Sequence, residues 1–260
     1  MIRTVTATEY ITPLREGGSL PAIVKADDGE IYAMKFVGAG QGAKALIAEL
    51  IAGEIGRKLG FKIPEIVFIN LDPAIGHTEP DAEIQDLLHA SAGLNLGMAF
   101  LSHAATFNLL ALPKPSAQFA SELVWFDAFI TNVDRTPRNV NMLIYQEETW
   151  LIDHGAALYF HHNWQNHIQQ SETPFVLIKD HVLLPLADNL NEADSTLKKR
   201  LNKSFFKGIT AQIPDHWLEA TDGFTSIAEH RNAYVEFLNH RLKMSFIFVE
   251  EANRARAALV

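Results

Sequence analysis

The sequence contains no cysteine in its 260 residues, which excludes disulfide bridges, thiolate zinc sites and cysteine nucleophiles. No stretch of about 18 apolar residues is present to span a membrane, and the N-terminal MIRTVTATEY lacks the apolar centre of a signal peptide. Basic residues are too few for bulk nucleic-acid binding, because the formal net charge is −9 and a phosphate backbone requires a basic surface. We therefore predict a cytoplasmic protein without a membrane span.

The composition is that of a globular protein. Hydrophobic residues make up 48% of the chain and charged residues 20%, so a sizeable core can be buried. A length of 260 residues suits one large domain, or two modest domains that share a cleft.

Strand-like segments and turns alternate near the N-terminus. The segments EYITPL, LPAIVK and EIYAMKFV are separated by the turns REGGS and ADDG, which predicts an antiparallel meander. A helix is predicted over residues 43–59, with Gly60 as its C-terminal cap, and strands follow in KIPEIVFINL and LNLGMAFL. Beyond His103 we predict an apolar helix over 119–130, the hairpin NMLIYQEETWLI and a mostly helical remainder. The fold class is therefore α+β, with a β-rich N-terminal lobe (1–103) and a mainly α-helical C-terminal lobe (104–260).

Polar residues flank the predicted hairpin in DRTPRNVNMLI and WLIDHG. Because the two strands run out and back, Asn139 and Asp153 are expected to lie side by side. Magnesium prefers oxygen ligands, which an amide and a carboxylate supply. Asp134 comes five residues before Asn139, where it can accept or orient the proton of a substrate hydroxyl. Each motif alone is also a good turn, but their joint occurrence around one hairpin favours a functional site.

A lysine occupies the middle of an apolar strand in EIYAMKFV. Alternation places Lys35 on one face and Tyr32 with Met34 on the other. Such a lysine needs an anionic partner, which can be an ATP phosphate or a glutamate of the following helix, either Glu49 or Glu54. The alternative is a lysine at a sheet edge whose ammonium extends into water.

Two further segments are candidates for nucleotide contact. In REGGS, Gly17, Gly18 and Ser19 would let backbone amides approach phosphate oxygens, although a plain hairpin turn has the same sequence. The order of the segments places the adenine against the chain that joins the lobes. The residues there are Phe100, Leu101 and Ser102.

Three histidines follow the second motif. His161, His162 and His167 are compatible with a metal cluster, but no carboxylate at ligand spacing accompanies them. We therefore interpret them as part of an exposed activation-segment loop.

The motifs AMKF, AEL, NVDRTPRNVNMLI and LIDHGAALYF occur in an order that resembles the HipA-type toxin kinases and the phosphoinositide 3-/4-kinases. The resemblance extends to RKLGFKIPEI and covers about residues 10–160. Asp153, His154 and Gly155 stand where eukaryotic protein kinases carry Asp-Phe-Gly. The resemblance implies a two-lobed kinase fold that uses ATP and Mg²⁺. It also implies roles for single residues: Asp134 as catalytic aspartate, Asn139 and Asp153 as metal ligands, and Lys35 as the phosphate lysine paired with Glu49.

The sequence indicates the site residues more narrowly than it indicates the molecule that accepts the phosphate. Our leading hypothesis is a protein kinase that acts on a serine or threonine hydroxyl, so that Asp134, Asn139 and Lys35 are the catalytic set. A kinase for a lipid or a small molecule is an alternative, and so is a nucleotide-binding pseudokinase that serves as an interaction module. Retention of Lys35, Asp134, Asn139 and Asp153 favours an enzyme.

Overall fold

The computed structural model describes residues 1–14, 20–77, 79–111, 114–218 and 223–259 of a mixed α/β chain. The strands and helices of the first hundred residues are β1 (Thr4–Pro13), β2 (Ala22–Ala26), β3 (Ile31–Lys35), α1 (Gly42–Leu59), β4 (Ile66–Leu71), α2 (Ala82–Ala90) and β5 (Gly93–Ala99). They are followed by β6 (Ala105–Thr106), α3 (Ala117–Phe129), β7 (Met142–Tyr145), β8 (Glu148–Leu151), α4 (His167–Ser171), α5 (Leu190–Leu197), α6 (Lys203–Thr210), α7 (Ile227–Lys243) and α8 (Ser245–Ala257).

The first five strands form a closed barrel in the order β1-β2-β3-β5-β4. The predicted meander is confirmed, because β1 pairs with β2 and β2 with β3, both antiparallel. β1 begins earlier than predicted, and its extra residues close the barrel by pairing in parallel with β4, for example Val5 with Ile69. This pairing joins segments more than sixty residues apart in the chain, so no local sequence pattern predicts it.

The predicted alternation of β3 is also confirmed. Tyr32, Met34 and Phe36 are buried in the barrel core, whereas Ala33 and Lys35 are only partly buried on the opposite face. The lysine therefore ends its strand on the outer side of the barrel, which is the side that α1 covers.

Glycines lie at the end and on the inner face of α1. The helix ends at Leu59, and Gly60 adopts a left-handed backbone with φ of 100°, as the sequence predicted. At Gly53 an added Cβ atom would meet Cδ1 of Ile66 in β4, so the end of that side chain would have to move. Glu49 lies one turn earlier and is likewise directed inward, with none of its side chain exposed.

Helices dominate the chain beyond residue 116. α3 is buried along most of its length, and Trp125 stacks on Phe129 with ring centroids 5.3 Å apart. Arg241 of α7 is buried and donates hydrogen bonds to the carbonyls of Ala128 and Phe129, which fixes the end of α3. The position of this end matters because the segment that follows α3 carries Asp134.

One helix, α2, lies in a segment for which the sequence predicts none, and it buries only Ile84 and Leu88. The division of the chain into 1–103 and 104–260 stays a prediction. Among the helices of the described residues, none combines the length and apolar character needed to cross a bilayer.

Candidate active site

An ion cluster joins β3, α1 and the segment after β8. Lys35 Nζ lies 2.5 Å from Asp153 Oδ1 and also contacts Glu49 Oε2. The side chains of Lys35 and Glu49 are 12% and 0% exposed, whereas that of Asp153 is 41% exposed. The lysine therefore bridges a buried carboxylate and a carboxylate that faces water. Glu54, the rival partner, instead lies 3.4 Å from Arg57.

Glu49 is held by more than Lys35. The backbone N–H of His154 lies 3.0 Å from both of its carboxylate oxygens, and the imidazole Nδ1 lies 3.1 Å from Oε1. Although burial alone would raise the pKa of Glu49, the charge of Lys35 and the hydrogen bond from His154 hold it below its ordinary value. The same cluster raises the pKa of Lys35 against the opposing effect of burial. Both groups are therefore charged at neutral pH.

The hairpin of β7 and β8 brings the second set of predicted residues together. Asn139 Nδ2 donates to Asp134 Oδ2 at 2.6 Å. Asn141 Nδ2 lies 3.3 Å from the same Asp134 oxygen and 3.4 Å from the carbonyl of Asp153. Asn141 therefore links the segments on either side of the hairpin.

Asp134 is perturbed by this environment. Burial raises the pKa of its carboxyl, the hydrogen bond from Asn141 opposes the rise, and the neighbouring charge of Asp153 adds to it. A carboxylate with a raised pKa is a better proton acceptor, which suits a group that removes a hydroxyl proton.

A second buried ion cluster lies beneath the segment that carries Asp134. Asp127 of α3 accepts hydrogen bonds from Asn132 Nδ2 at 2.9 Å and from Arg135 Nε at 2.6 Å. His181 Nε2 lies 2.9 Å from Asp127 Oδ2. Arg135 also donates to the carbonyl of Asn141. These bonds fix the backbone on both sides of Asp134.

An apolar cleft opens on one side of Lys35 and Asp153, and its empty space, open solvent included, is about 760 Å³. Phe100 and Leu101 line it, whereas Ser102 is exposed and does not. The other lining residues are mainly apolar: Leu14, Pro21, Ala33, Pro64, Met98, Ala99, Leu143 and Ile152. The predicted phosphate-loop residues Gly17, Gly18 and Ser19 lie outside the described residues.

A second cavity of about 580 Å³ opens on the other side of the same pair. Asp134 and Asn139 line it together with Gln41 and Gly42 at the start of α1. Lys35 and Asp153 thus lie where an apolar cleft and a polar cavity meet. A molecule with an apolar ring and an anionic tail would match this arrangement.

The donors around Asp153 fit a hard divalent cation. Because Asn139 uses its amide nitrogen on Asp134, its amide oxygen is left to act as a ligand, and Asn139 lines the same cavity as Asp153. One carboxylate and one amide are few ligands, which suits magnesium held mainly by phosphates and water. Within the described ranges, no group of three or more histidine, cysteine, aspartate or glutamate residues is arranged to hold a metal.

The histidines after the second motif differ in part from expectation. His161 is buried, and its Nδ1 lies 3.1 Å from the Tyr234 hydroxyl, so it packs against α7 rather than lying in an exposed loop. His162 is exposed, as predicted. His161 also accepts a hydrogen bond at its carbonyl from Lys44 of α1, at 2.8 Å.

Sequence reasoning missed the buried residues that hold the candidate site. The sequence pattern identifies Arg135 and Asn141 only as parts of a turn and a strand, and Asp127 as part of an apolar helix. A charged residue inside an otherwise apolar helix, as in FASELVWFDAFI, is the signal that marks Asp127, since such a charge requires a partner.

Comparison with solved structures places this fold among the kinases. The crystal structure of a Helicobacter pylori proinflammatory kinase, CtkA, is similar with a TM-score of 0.61 and 13% identity, and all of both chains is covered. A Golgi casein kinase has a TM-score of 0.48 at 12% identity, with 96% of this chain and 72% of that chain covered. A Golgi casein kinase with Mn/ADP bound gives the same TM-score and identity, with 100% and 75% covered.

The family model of HipA-like kinases matches residues 7–246. The chain therefore belongs to the HipA-like kinase family, and the resemblance seen in its motifs is confirmed. A sequence comparison with curated proteins gave no match.

Proposed function

We propose that this kinase transfers the γ-phosphate of Mg-ATP to a serine or threonine hydroxyl of a protein. The observation that carries the proposal is the position of Lys35 and Asp153, which contact each other where the apolar cleft meets the cavity that contains Asp134. An adenine ring fits the apolar side, and the phosphates then extend past the lysine toward Asp134. Phosphoryl transfer requires mainly such positioning and charge stabilisation.

Each predicted residue has a role in this arrangement. Lys35, oriented by Glu49, would contact the phosphates. The oxygens of Asn139 and Asp153 would hold magnesium, which would neutralise charge on the phosphates. Asp134 takes the proton of the acceptor hydroxyl on a carboxylate oxygen as that hydroxyl attacks the γ-phosphorus. The bond from the γ-phosphorus to the oxygen that bridges it to the β-phosphorus breaks, and ADP leaves. Gly17, Gly18 and Ser19 would contribute backbone and hydroxyl donors to the phosphates.

The proposal includes a two-lobed organisation. Residues 1–103 contribute Lys35 and Glu49, and residues 104–260 contribute the groups that bind metal and take the proton. The adenine would lie beside Phe100 and Leu101, with Ser102 at the rim, where the chain passes from one lobe to the other. Apolar lining from both segments, such as Ala33 and Leu143, supports this placement.

Incubation with γ-labelled ATP and magnesium, alone and with cell lysate, tests the proposal. We expect labelled protein, and we expect Asp134→Ala to reduce transfer by about 10²–10⁴-fold while nucleotide binding is retained. Asp153→Asn should instead weaken binding of the magnesium-nucleotide. Asp86→Ala, which removes an exposed carboxylate of α2 outside both cavities, is the control.

Three outcomes would contradict the proposal in different ways. Label recovered only in lipids or small alcohols would show that the acceptor is not a protein. Nucleotide binding without transfer to any acceptor would indicate a pseudokinase. Full activity of both Asp134→Ala and Asp153→Asn would show that the roles are assigned wrongly.

A further inference from the structure

His154 lies in the segment after β8, beside two residues of the ion cluster, Glu49 of α1 and Asp153. It directly follows Asp153, none of its side chain is exposed, and its imidazole contacts Glu49 on one side. On another side its ring meets the edge of Phe126 of α3, with ring centroids 5.9 Å apart. The imidazole is therefore enclosed by α1 and α3, and it cannot reach a substrate itself.

The contact with Glu49 fixes which ring nitrogen carries a proton. A carboxylate only accepts hydrogen bonds, so Nδ1 at 3.1 Å from Oε1 must be the donor. Together with its own backbone N–H, His154 thus supplies two donors to one fully buried carboxylate. An unsatisfied buried charge is costly, so each donor helps to keep Glu49 in this orientation.

We propose that His154 is a positioning residue for Lys35 that acts through Glu49, and this inference rests on the proposed function. Glu49 Oε2 contacts Lys35, while Oε1 is occupied by the imidazole. The imidazole therefore orients the glutamate so that the oxygen nearer the cleft is presented to the lysine. Loss of the Nδ1 donor would let the carboxylate rotate and would move the ammonium away from the phosphates.

Packing alone is the alternative role of His154. The edge contact with Phe126 would be kept by a phenylalanine, which fills about the same space and donates no hydrogen bond. Packing therefore predicts that phenylalanine is tolerated and asparagine is not. A role as donor to Glu49 predicts that asparagine is tolerated and phenylalanine is not. The asparagine amide nitrogen is three bonds from Cα, as Nδ1 of histidine is, so it can donate the same hydrogen bond.

The test compares His154→Phe, His154→Asn and wild type for Mg-ADP affinity by calorimetry and for phosphate transfer. We expect His154→Phe to lose about tenfold or more in both, as for a hydrogen bond to a charged group, and His154→Asn to stay within about threefold of wild type. His230→Phe is the matched control. His230 is buried, stacks on Phe224 and lies 3.3 Å from the Leu218 carbonyl, and it lines neither cavity.

A double-mutant cycle identifies the route of the effect. If His154 acts through Glu49, His154→Phe should cost little further affinity in a Glu49→Gln background, so the two losses will not add. Additive losses would overturn the inference. It would also be overturned if His154→Phe matched wild type, or if His154→Asn were as impaired as His154→Phe.

Failure of the inference can be told from failure of the proposed function. If wild type binds Mg-ADP but transfers no phosphate, the proposed function is overturned, and the affinities of the His154 variants still decide the inference. If wild type transfers phosphate and the variants rank as packing predicts, only the inference is overturned. Absence of nucleotide binding by wild type would overturn both.

Discussion

Two buried clusters in this kinase have the same chemical make-up. In one, Glu49 is contacted by Lys35 and His154; in the other, Asp127 is contacted by Arg135 and His181. Both carboxylates are fully buried, and both hold pKa values below the ordinary range because their cationic partners outweigh the effect of burial. The clusters differ in where the cation is directed.

Lys35 reaches outward from its cluster to Asp153, which is 41% exposed in the cleft. Arg135 reaches inward to the carbonyl of Asn141, and its side chain is fully buried. The first cluster therefore presents a charge to the cleft, whereas the second holds the backbone beside Asp134. Under the proposed function, similar buried ion groups serve binding in one place and positioning in another.

The two clusters share one further feature. Each candidate aspartate of the site is followed directly by a residue of a cluster, Asp134 by Arg135 and Asp153 by His154. Because the second residue of each pair is buried, the aspartate before it stays at the cavity surface. Asp153 has a left-handed backbone with φ of 55°, which such anchoring can sustain.

Arg135→Met should give the largest loss of stability. Removing the guanidinium leaves Asp127 as a buried charge with weaker partners, so we expect unfolding free energy to fall by about 3–5 kcal/mol. Chemical denaturation measures this. Arg138→Met, in the exposed part of the same loop, is the control and should change stability by less than about 0.5 kcal/mol. Equal losses of unfolding free energy for Arg135→Met and Arg138→Met would show that the second cluster does not anchor this segment.

Lys35→Met should affect activity more than stability. We expect phosphate transfer to fall by about 10²–10³-fold, the range for removal of one charge-stabilising donor. Stability should fall less than for Arg135→Met, because Asp153 can return to water and Glu49 keeps both donors of His154. A steady-state assay and thermal unfolding of both variants provide the comparison. A larger loss of stability for Lys35→Met than for Arg135→Met would contradict this expectation.

Protonation of His181 in the second cluster should make the stability of the protein depend on pH. His181 Nδ1 accepts the Leu183 N–H at 3.0 Å and its Nε2 faces Asp127, so the neutral ring fits, and burial lowers its pKa below 6.5. A lowered folded pKa gives stability that is present above the unfolded value and lost as pH falls through the folded value. We therefore expect the unfolding free energy to begin to fall below about pH 6.5 because of His181, by up to about 1.4 kcal/mol per pH unit.

Glu49 and Asp127 should contribute only at lower pH. Their stability is present above ordinary carboxylate values and is lost as pH falls through their lowered pKa values. His181→Gln, which keeps a donor and an acceptor without titrating, should make the decline that starts near pH 6.5 shallower. The buried His161, whose pKa is also lowered by burial, still contributes to that decline. Denaturation at a series of pH values measures this, and an unchanged profile would refute the assignment to His181.

The smallest expected effect concerns the pH dependence of transfer. Asp134 must be ionised to take a proton, and burial raises its pKa, so activity should fall with decreasing pH above the usual range of an aspartate. Asn141→Gly removes a hydrogen bond that opposes this rise, and glycine accepts the φ of 46° at this position. The acid limb of the pH–rate profile should then move to higher pH. A shift to lower pH would contradict the role of Asn141 in stabilising the ionised carboxylate.

Local patterns predicted the elements that are regular within themselves. Periodic apolar residues and Gly60 predicted α1 almost to the residue, and alternation predicted which face of β3 carries Lys35. The hairpin geometry also predicted that Asn139 lies beside Asp153, and both residues line the same cavity. These results depend on residues close together in the chain, where turns and periodicity constrain the backbone.

Non-local contacts could not be predicted in the same way. Asp127 contacts His181, which lies 54 positions later in the chain. Glu49 contacts the imidazole of His154, which lies 105 positions later. The parallel pairing of β1 with β4 joins strands that β2, β3 and α1 separate in the chain. The short helix α2 was not predicted, and a helix of nine residues depends on packing against the rest of the chain for its stability.

The closure of the barrel by β1 has a consequence for solubility. A strand at the border of an open sheet offers unpaired amides and carbonyls to other chains and can template aggregation. In the described part of the chain, pairing of Thr4–Thr6 with Phe68–Asn70 gives β1 and β4 a partner where an open sheet would have two such borders. These few N-terminal residues thus leave β1 and β4 without the free borders that an open five-stranded sheet would have.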